Sequence, residues 1–466
     1  MKISNIKLIV AFLAVFSIMS CKEYLEINPP NDTLVANTAF NTDADIKANI
    51  AGIHSYNLIS SSLHDTYSHF YTGLAADEIQ FYTPSTDQDQ YLTNGIVLAS
   101  TVNAYFWSEP YKSVYQSNLI IAALENKTGI TQSLKNEALG VAYFFRGLSY
   151  LNLSSWFGDV PLILTSNVAE SSKMARTPKA QVHTQIVSDL TTAKTLLKGV
   201  NKSAGWAGEQ AASALLARAY LYNGKWQEAA NEAKNFISGT WATKYKLDSV
   251  SNVFKRSSKE TIFSISTDGS SRTTINYTYA GIRYLPSSST YVSYPLTDDF
   301  MTAFETGDLR KASWTKQFTA AAPNNKWYAF KYKYKATPSV STDAEDQVLI
   351  RLAEMYLIYA EANAQLNNTS EAISALNTIR TRAGLSNLSS TLTKDAILLA
   401  VEKERRLELF LEYGHRWNDL VRTGRADAVL GKLKPQTWQS YAQLFPIPQK
   451  ETNLNPNLTQ NPGYIK

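Results

Sequence analysis

"EQAASALLARAYLYNGKWQEAANEAKNFIS", residues 209–238, decides the architecture. Leu216, Ala217, Tyr220, Gly224, Trp226, Ala229 and Ala230 place small and aromatic residues on either side of a short "NGKW" turn. Small alanines on one helix admit bulky side chains from its partner, the arrangement of a tetratricopeptide helix pair. The segment "RLAEMYLIYAEANAQLNNTSEAISALNTIRTRAGL", 351–385, repeats the pattern with Tyr359, Ala360, Ala362, Leu366, Ala372, Ala375 and Leu376. Two matches in separate halves predict a mainly α fold: a tetratricopeptide-like helical-repeat scaffold with loop-rich insertions and a few short strands.

Working outward, helical spacing recurs in "ADIKANIAGIHSYNLI" (44–59), "WSEPYKSVYQSNLIIAALEN" (107–126) and "AQVHTQIVSDLTTAKTLL" (180–197). It recurs again in "KNEALGVAYFFRGLSYLNLSSWFG" (135–158), where Gly158 is the expected stop. Two stretches lack this texture, at about 60–106 and 245–345. They are rich in Ser, Thr, Gly, Pro and Tyr and read as insertions on the scaffold. Within the second, "ETIFSIS" (260–266) alternates as a short strand does.

The N-terminus reads as an export signal. Lys2 and Lys7 precede an apolar run from Leu8 to Met19, too short for the ~20 residues that span a bilayer. Residues 1–20 are therefore expected to be a signal peptide. Ser20 lies directly before Cys21, the chain's single cysteine, and "IMSC" is similar to the lipobox of bacterial lipoproteins. That likeness implies lipidation of Cys21, a tether over 21–40 and one domain over 41–466. Two or three acyl chains, at ~0.8 kcal/mol per buried CH₂, would hold such a domain on a membrane. The residue after the cysteine is Lys22 rather than aspartate, which favours the outer membrane over the inner. One cysteine allows no internal disulfide and no cysteine metal cage.

Net charge is +5 with basic residues dispersed, which argues against nucleic acid as a partner. The 12% aromatic content, with 27 tyrosines, suits surfaces that contact sugars or peptides. No HExxH, GxSxG or P-loop is present, and His54, His64, His69, His183 and His415 lack zinc spacing. No cofactor, metal or catalytic residue is implied.

"EKERRLELFLEYGHRWNDLVR", 402–422, does resemble an active site, with Glu404, Glu408, Glu412, His415 and Asp419 close together. Glutamates four apart on an exposed helix repel by a few tenths of a kcal/mol. Burial with Arg405, Arg406, Arg416 and Arg422 as partners makes better sense of them. The expectation is architecture.

Several stretches, in order, resemble the SusD/RagB family of outer-membrane nutrient-binding lipoproteins. They are "GLAADE" (73–78), "WSEPYKSVYQSN" (107–118), "AYFFRGLSYLNLSSWFGDVPLI" (142–163), "ALLARAYLYNGKWQEA" (214–229) and "KETIFSI" (259–265). "DFMTAFETGDLR" (299–310), "IRLAEMYLIYAEA" (350–362), "LNTIRTRAGL" (376–385), "EKERRLELFLEYGHRWNDLVRTG" (402–424) and "LFPIPQKETNLNPNLTQNPGY" (444–464) complete the series. Tyr413-Gly414 stands where many relatives have Glu-Gly. The resemblance implies a cell-surface glycan-binding subunit that delivers an oligosaccharide to a SusC-like TonB-dependent transporter. It places the 402–424 signature away from the ligand. It also reads Trp107, Tyr111, Tyr115, Trp156 and Phe157 as core, and puts the ligand on the two insertions. There the candidate sugar contacts are Phe81, Tyr82, Tyr91, Tyr279, Tyr284 and Tyr291, with Asn94 and Arg283 as polar partners. For each tyrosine, plain loop packing is the competing reading. Other functional readings are a RagB-type peptide receptor, a surface hydrolase and an adhesin without a transport partner.

Overall fold

The computed structural model describes residues 39–464 apart from 61–62, 82–84, 201, 269–274, 287–290 and 320–324. Cys21, the signal peptide and nearly all of the tether lie outside the described residues.

Helix α1 (Asp43–Ser55) opens with a capping box between Thr42 and Asp45. Two π-helical turns, Tyr56–Ser60 and Leu63–Tyr67, lead into α2 (Ser68–Ala75). After α3 (Thr86–Leu92) come the long helices α4 (Thr101–Leu124) and α5 (Gln132–Phe157), the latter ending at Gly158 with φ +74°. Helix α6 (Lys179–Leu196) lies tightly on α5. A Cβ at Gly147 would come within 2.9 Å of Leu190, so glycine sets that approach.

The two segments read as helix pairs are helical hairpins. Helices α7 (Glu209–Tyr222) and α8 (Trp226–Ile237) turn at Gly224, φ +66°. After the second insertion, α12 (Leu352–Gln365) and α13 (Thr369–Arg382) turn at Asn367, φ +64°. Between the hairpins lie β1 (Thr261–Ile265), α9 (Tyr279–Tyr284), α10 (Asp298–Thr302), α11 (Leu309–Trp314), β2 (Thr315–Gln317), β3 (Trp327–Ala329) and β4 (Gln347–Arg351). Strand β1 pairs antiparallel with β4, and β2 with β3. The chain closes with α14 (Lys394–Glu408), α15 (His415–Arg422), α16 (Ala426–Leu433) and α17 (Gln449–Leu454). The described fold is thus mostly helical, with four short strands among the described residues.

The 60–106 stretch differs from the expected loop-rich insertion, because a π-helical turn, α2, α3 and the start of α4 occupy most of it. Every residue of α2 is buried, polar Ser68, His69 and Thr72 included, so no solvent-facing side marks its period. The 245–345 stretch keeps long irregular segments between its short elements. Trp107, Trp156 and Phe157 lie in the core and Tyr111 is partly buried, but Tyr115 is 43% exposed on α4.

The 402–422 segment forms the charged centre of the C-terminal half. Glu404 accepts from Arg310 (2.9 Å) and Arg380 (2.8 Å). Glu408 accepts from Arg351 (2.6 Å), Arg310 (3.2 Å) and Arg382, and Glu412 from Arg351 (2.7 Å) and Lys331 (2.6 Å). All three glutamates are buried. Burial pushes the Glu408 carboxyl up, but Arg382, Arg351 and Arg310 overcome it and hold it well below the usual carboxylate range. The expected partners pair elsewhere: Arg405 with Asp419 (2.7 Å), Arg416 with Asp77 (2.8 Å) and Arg422 with Glu361 (2.6 Å). Arg406 bonds Asp299 (2.7 Å). The glutamates' cations come from α11, the Ala329–Tyr332 segment, β4 and α13, which no spacing along one helix reveals.

Candidate functional site

The two insertions meet. Thr297 donates its N–H to the Glu78 carbonyl (3.0 Å) and its hydroxyl to the Asp77 carbonyl (2.7 Å). Gln80 N–H reaches the Pro295 carbonyl (3.0 Å), and an isolated bridge joins Ile79 to Leu296. These bonds set the segment after α2, 77–80, beside 295–297.

Tyr67 and Tyr71, one helical turn apart, stack at 5.3 Å. The Tyr67 ring also lies nearly parallel to that of Tyr105, 5.6 Å away and inclined by 13°. Tyr105 is 41% exposed and Tyr67 half-buried, so this pair offers aromatic surface to a ligand. Beside it the Arg283 guanidinium lies 4.6 Å over the Phe70 ring and points an N–H at the Tyr294 hydroxyl (3.4 Å). The Gln88 amide donates to the same hydroxyl (3.2 Å). Among the described residues no carboxylate lies within 4.0 Å of Arg283. Burial pushes the Tyr71 hydroxyl up to about 12, with Tyr67 and Asp87 adding to it, and likewise raises Tyr67. Both are therefore neutral donors and acceptors at physiological pH. Rings with polar rims, an amide and an unpaired guanidinium suit a ligand with apolar faces edged by hydroxyls.

Helix α9 holds Arg283 in place by close packing. A Cβ at Gly281 would sit 2.1 Å from the Tyr334 carbonyl oxygen, so only glycine lets α9 approach that chain. Tyr284 is buried and donates its hydroxyl to His69 Nδ1 (2.7 Å), whose Nε2–H donates to the Asp65 carbonyl (2.7 Å). Burial depresses His69 to about 4, so the ring is neutral, and the Asp65 contact assigns its tautomer.

The other sequence candidates divide sharply. Tyr91 is fully buried among Tyr71, Phe106 and Phe445, and Phe81 is buried as well. Asn94, at φ +58°, donates to the Ala75 carbonyl (2.9 Å) and accepts from Lys434 (3.0 Å), which also bonds the carbonyls of Leu74 and Ala75. It caps the end of α2. These three, with Tyr284, are placed as framework side chains under the surface, because aromatic and amide groups of buried loops pack inward when apolar area is there to cover. Tyr279 (36% exposed) and Tyr291 (45%) face outward, Arg283 lies at the stacked tyrosines, and Tyr82 falls outside the described residues. Sequence reading missed Tyr67, Tyr105, Tyr294 and Gln88. The spacing of Tyr67 and Tyr71 was a usable signal, whereas Tyr105 comes from a different helix. Among the described residues no group of three His, Cys, Asp or Glu side chains could hold a metal ion, and no helix is long and apolar enough to cross a membrane.

Comparison with known proteins agrees with this architecture. Residues 197–464 match the family described as "SusD family", and 23–221 match one described as "Starch-binding associating with outer membrane". The chain belongs to the SusD family. It is 28% identical to SusD-like protein P2 of Formosa agariphila, over 96% of this chain and 97% of that one. A SusD superfamily protein from Bacteroides vulgatus superposes with a TM-score of 0.78 at 23% identity, covering 91% of this chain and 99% of that one. Surface glycan-binding protein A from Bacteroides fluxus superposes with a TM-score of 0.72 at 21% identity, covering 90% and 99%.

Proposed function

We propose that this protein is a non-catalytic, lipid-anchored receptor on the outer-membrane surface, which captures an oligosaccharide and delivers it to a SusC-like TonB-dependent transporter. Cys21 would carry the anchor. The observation that supports capture is the Tyr67–Tyr105 stack beside Arg283, Tyr294 and Gln88: an exposed aromatic face next to hydrogen-bonding groups with spare capacity. Tyr279 and Tyr291 would extend the contact on the second insertion. Glycan binding by the B. fluxus protein and the family's starch-binding description give the ligand class its support.

The test is equilibrium binding of the full chain to a panel of neutral and acidic polysaccharides and mixed peptides. Parent protein should bind one polysaccharide class, and the double variant Tyr67→Ala/Tyr105→Ala should lose it with an unchanged melting temperature. Binding of peptides alone, sensitive to the same pair, would replace the glycan reading with a peptide receptor. New reducing ends in the incubated glycan would make it a hydrolase. For the anchor, Cys21→Ala should release the protein from membranes in cells lacking the transporter; full sedimentation of the variant would exclude lipidation.

A further inference from the structure

From Leu309 to Ser341 the chain carries seven basic residues, Arg310, Lys311, Lys316, Lys326, Lys331, Lys333 and Lys335, and no Asp or Glu. Two are consumed inside: Arg310 and Lys331 belong to the buried glutamate network. Lys316 of β2 and Lys333, just past β3, meet on one face of the hairpin, whereas Lys311 lies on the other, because Lys316 pairs with Tyr328 and Trp327 with Gln317. Lys316 and Lys333 both lie against the Phe330 ring, at 5.2 and 4.5 Å, and Lys311 lies 5.5 Å over Trp327.

These three lysines have no carboxylate within 4.0 Å among the described residues. The Lys333 ammonium reaches only the Ser313 carbonyl (3.0 Å). Burial lowers its pKa, the nearby Glu345 opposes this, and Lys255 and Lys316 lower it further by repulsion. The acids nearby do not balance the group. Asp343 is paired with Lys255 (2.8 Å), and exposed Asp298 with Lys326 (3.1 Å). Glu345 is buried, its carboxyl pushed up to about 8 by burial, and it already accepts the Lys333 backbone N–H (2.8 Å). Like charges crowded on a half-buried surface repel one another, and an incoming anion relieves that repulsion.

We infer that the Lys316–Lys333 pair over Phe330, on one face of the β2–β3 hairpin, binds the acid groups of an anionic polysaccharide. The inference rests on the glycan reading and names the class of glycan. The place fits a polymer that also touches the tyrosine surface. Tyr328 of β3 packs with Leu285 and Val292, which flank α9 and exposed Tyr291, and Gly281 of α9 abuts Tyr334. Aromatic rings interleaved with ammonium groups can meet a sugar's apolar face and its carboxylate or sulfate together. A lipid headgroup or acidic protein would need the charges alone.

The test compares binding of the full chain to immobilised polygalacturonate and dextran sulfate with binding to neutral dextran, laminarin and starch. Vesicles containing phosphatidylglycerol are tested in parallel. The expected result is acidic polymer bound at least tenfold tighter than neutral polymer, weakening as salt rises. The Lys316→Gln/Lys333→Gln variant should lose that preference, the double Arg variant should keep it, and Lys311→Gln, on the opposite face, should leave it unchanged. If the double Gln variant folds poorly, Lys316→Gln, on an exposed strand position, should still lower acidic binding severalfold. Neutral polymer bound through Tyr67 and Tyr105 with no acidic preference would overturn the inference and leave the glycan reading standing. Failure to bind any polysaccharide would sink both. Vesicle binding through these lysines without polysaccharide binding would overturn the inference in favour of a lipid surface.

Discussion

The charged centre around Glu404, Glu408 and Glu412 and the tyrosine surface around Arg283 are built from overlapping residue types to opposite ends. In the first, three carboxylates meet four arginines and a lysine with almost no exposure. In the second, an arginine lies on a phenylalanine ring without a carboxylate, beside tyrosines with exposed faces. Residue identity does not separate architecture from binding surface; spare interaction capacity does. A buried charge whose every partner is internal has nothing left to offer a ligand. A half-exposed ring, or a guanidinium with no internal carboxylate, does.

Breaking the first region should have the largest effect. Glu408→Ala leaves Arg310, Arg351 and Arg382 facing one another, and should cost about 3–5 kcal/mol of stability. Denaturant unfolding reads this, and ligand affinity per folded molecule should not change. A loss of affinity at unchanged stability would put the segment back among functional sites.

Acid should act on both regions through histidines. Burial holds His54 and His64 at about 3 and His69 and His183 at about 4, and keeps His415 well below the usual imidazole range. The unfolded chain takes up protons near pH 6.5 that the fold refuses, so their contribution is lost as pH falls below that value. Glu78 and Glu345, both pushed up to about 8 by burial, act in the opposite sense between about 4.5 and 8. Five groups outweigh two, so melting temperature should fall from pH 6.5 to 4.5. The slope is on the order of 1.4 kcal/mol per pH unit for each uncompensated proton. A flat or rising profile would contradict the burial of these rings.

At the tyrosine surface, Tyr105→Ala should weaken ligand binding by roughly 1–2 kcal/mol, about five- to thirtyfold in Kd. Stability should barely change, because the ring is substantially exposed. Gly281→Ala, forced against the Tyr334 carbonyl, should shift α9 and reduce both stability and binding. The smallest effect is expected from Tyr279→Ala or Tyr291→Ala, under about 1 kcal/mol each in binding. If these two exceed Tyr105→Ala, the main contact lies on the second insertion instead.

Much of the fold was legible before any coordinates. Long helices announce themselves when one face is apolar and the other wet, and the two hairpins carry small residues at their contacts and a turn residue at positive φ. Helix α2 was illegible for the reverse reason: it is buried all round, its polar Ser68, His69 and Thr72 included, so no side of it is wet. The site was legible only in part. Of the residues read as contacts, Arg283 lies beside the proposed tyrosine surface, and Tyr279 and Tyr291 are exposed on the second insertion. Phe81, Tyr91, Asn94 and Tyr284 share their composition and neighbourhood but lie beneath the surface.

The sequence alone determined the helical scaffold, the family and the presence of a charge-rich C-terminal signature, because these depend on local periodicity and on motifs in linear order. Tertiary structure decided which charges are satisfied and which rings stay open. It brought Arg351 to Glu408 and Glu412 across about sixty residues, Tyr105 onto Tyr67, and Lys316 and Lys333 onto the Phe330 ring. The energy of a charge or a ring is set by its neighbours in space, and those neighbours come from segments far apart in the chain.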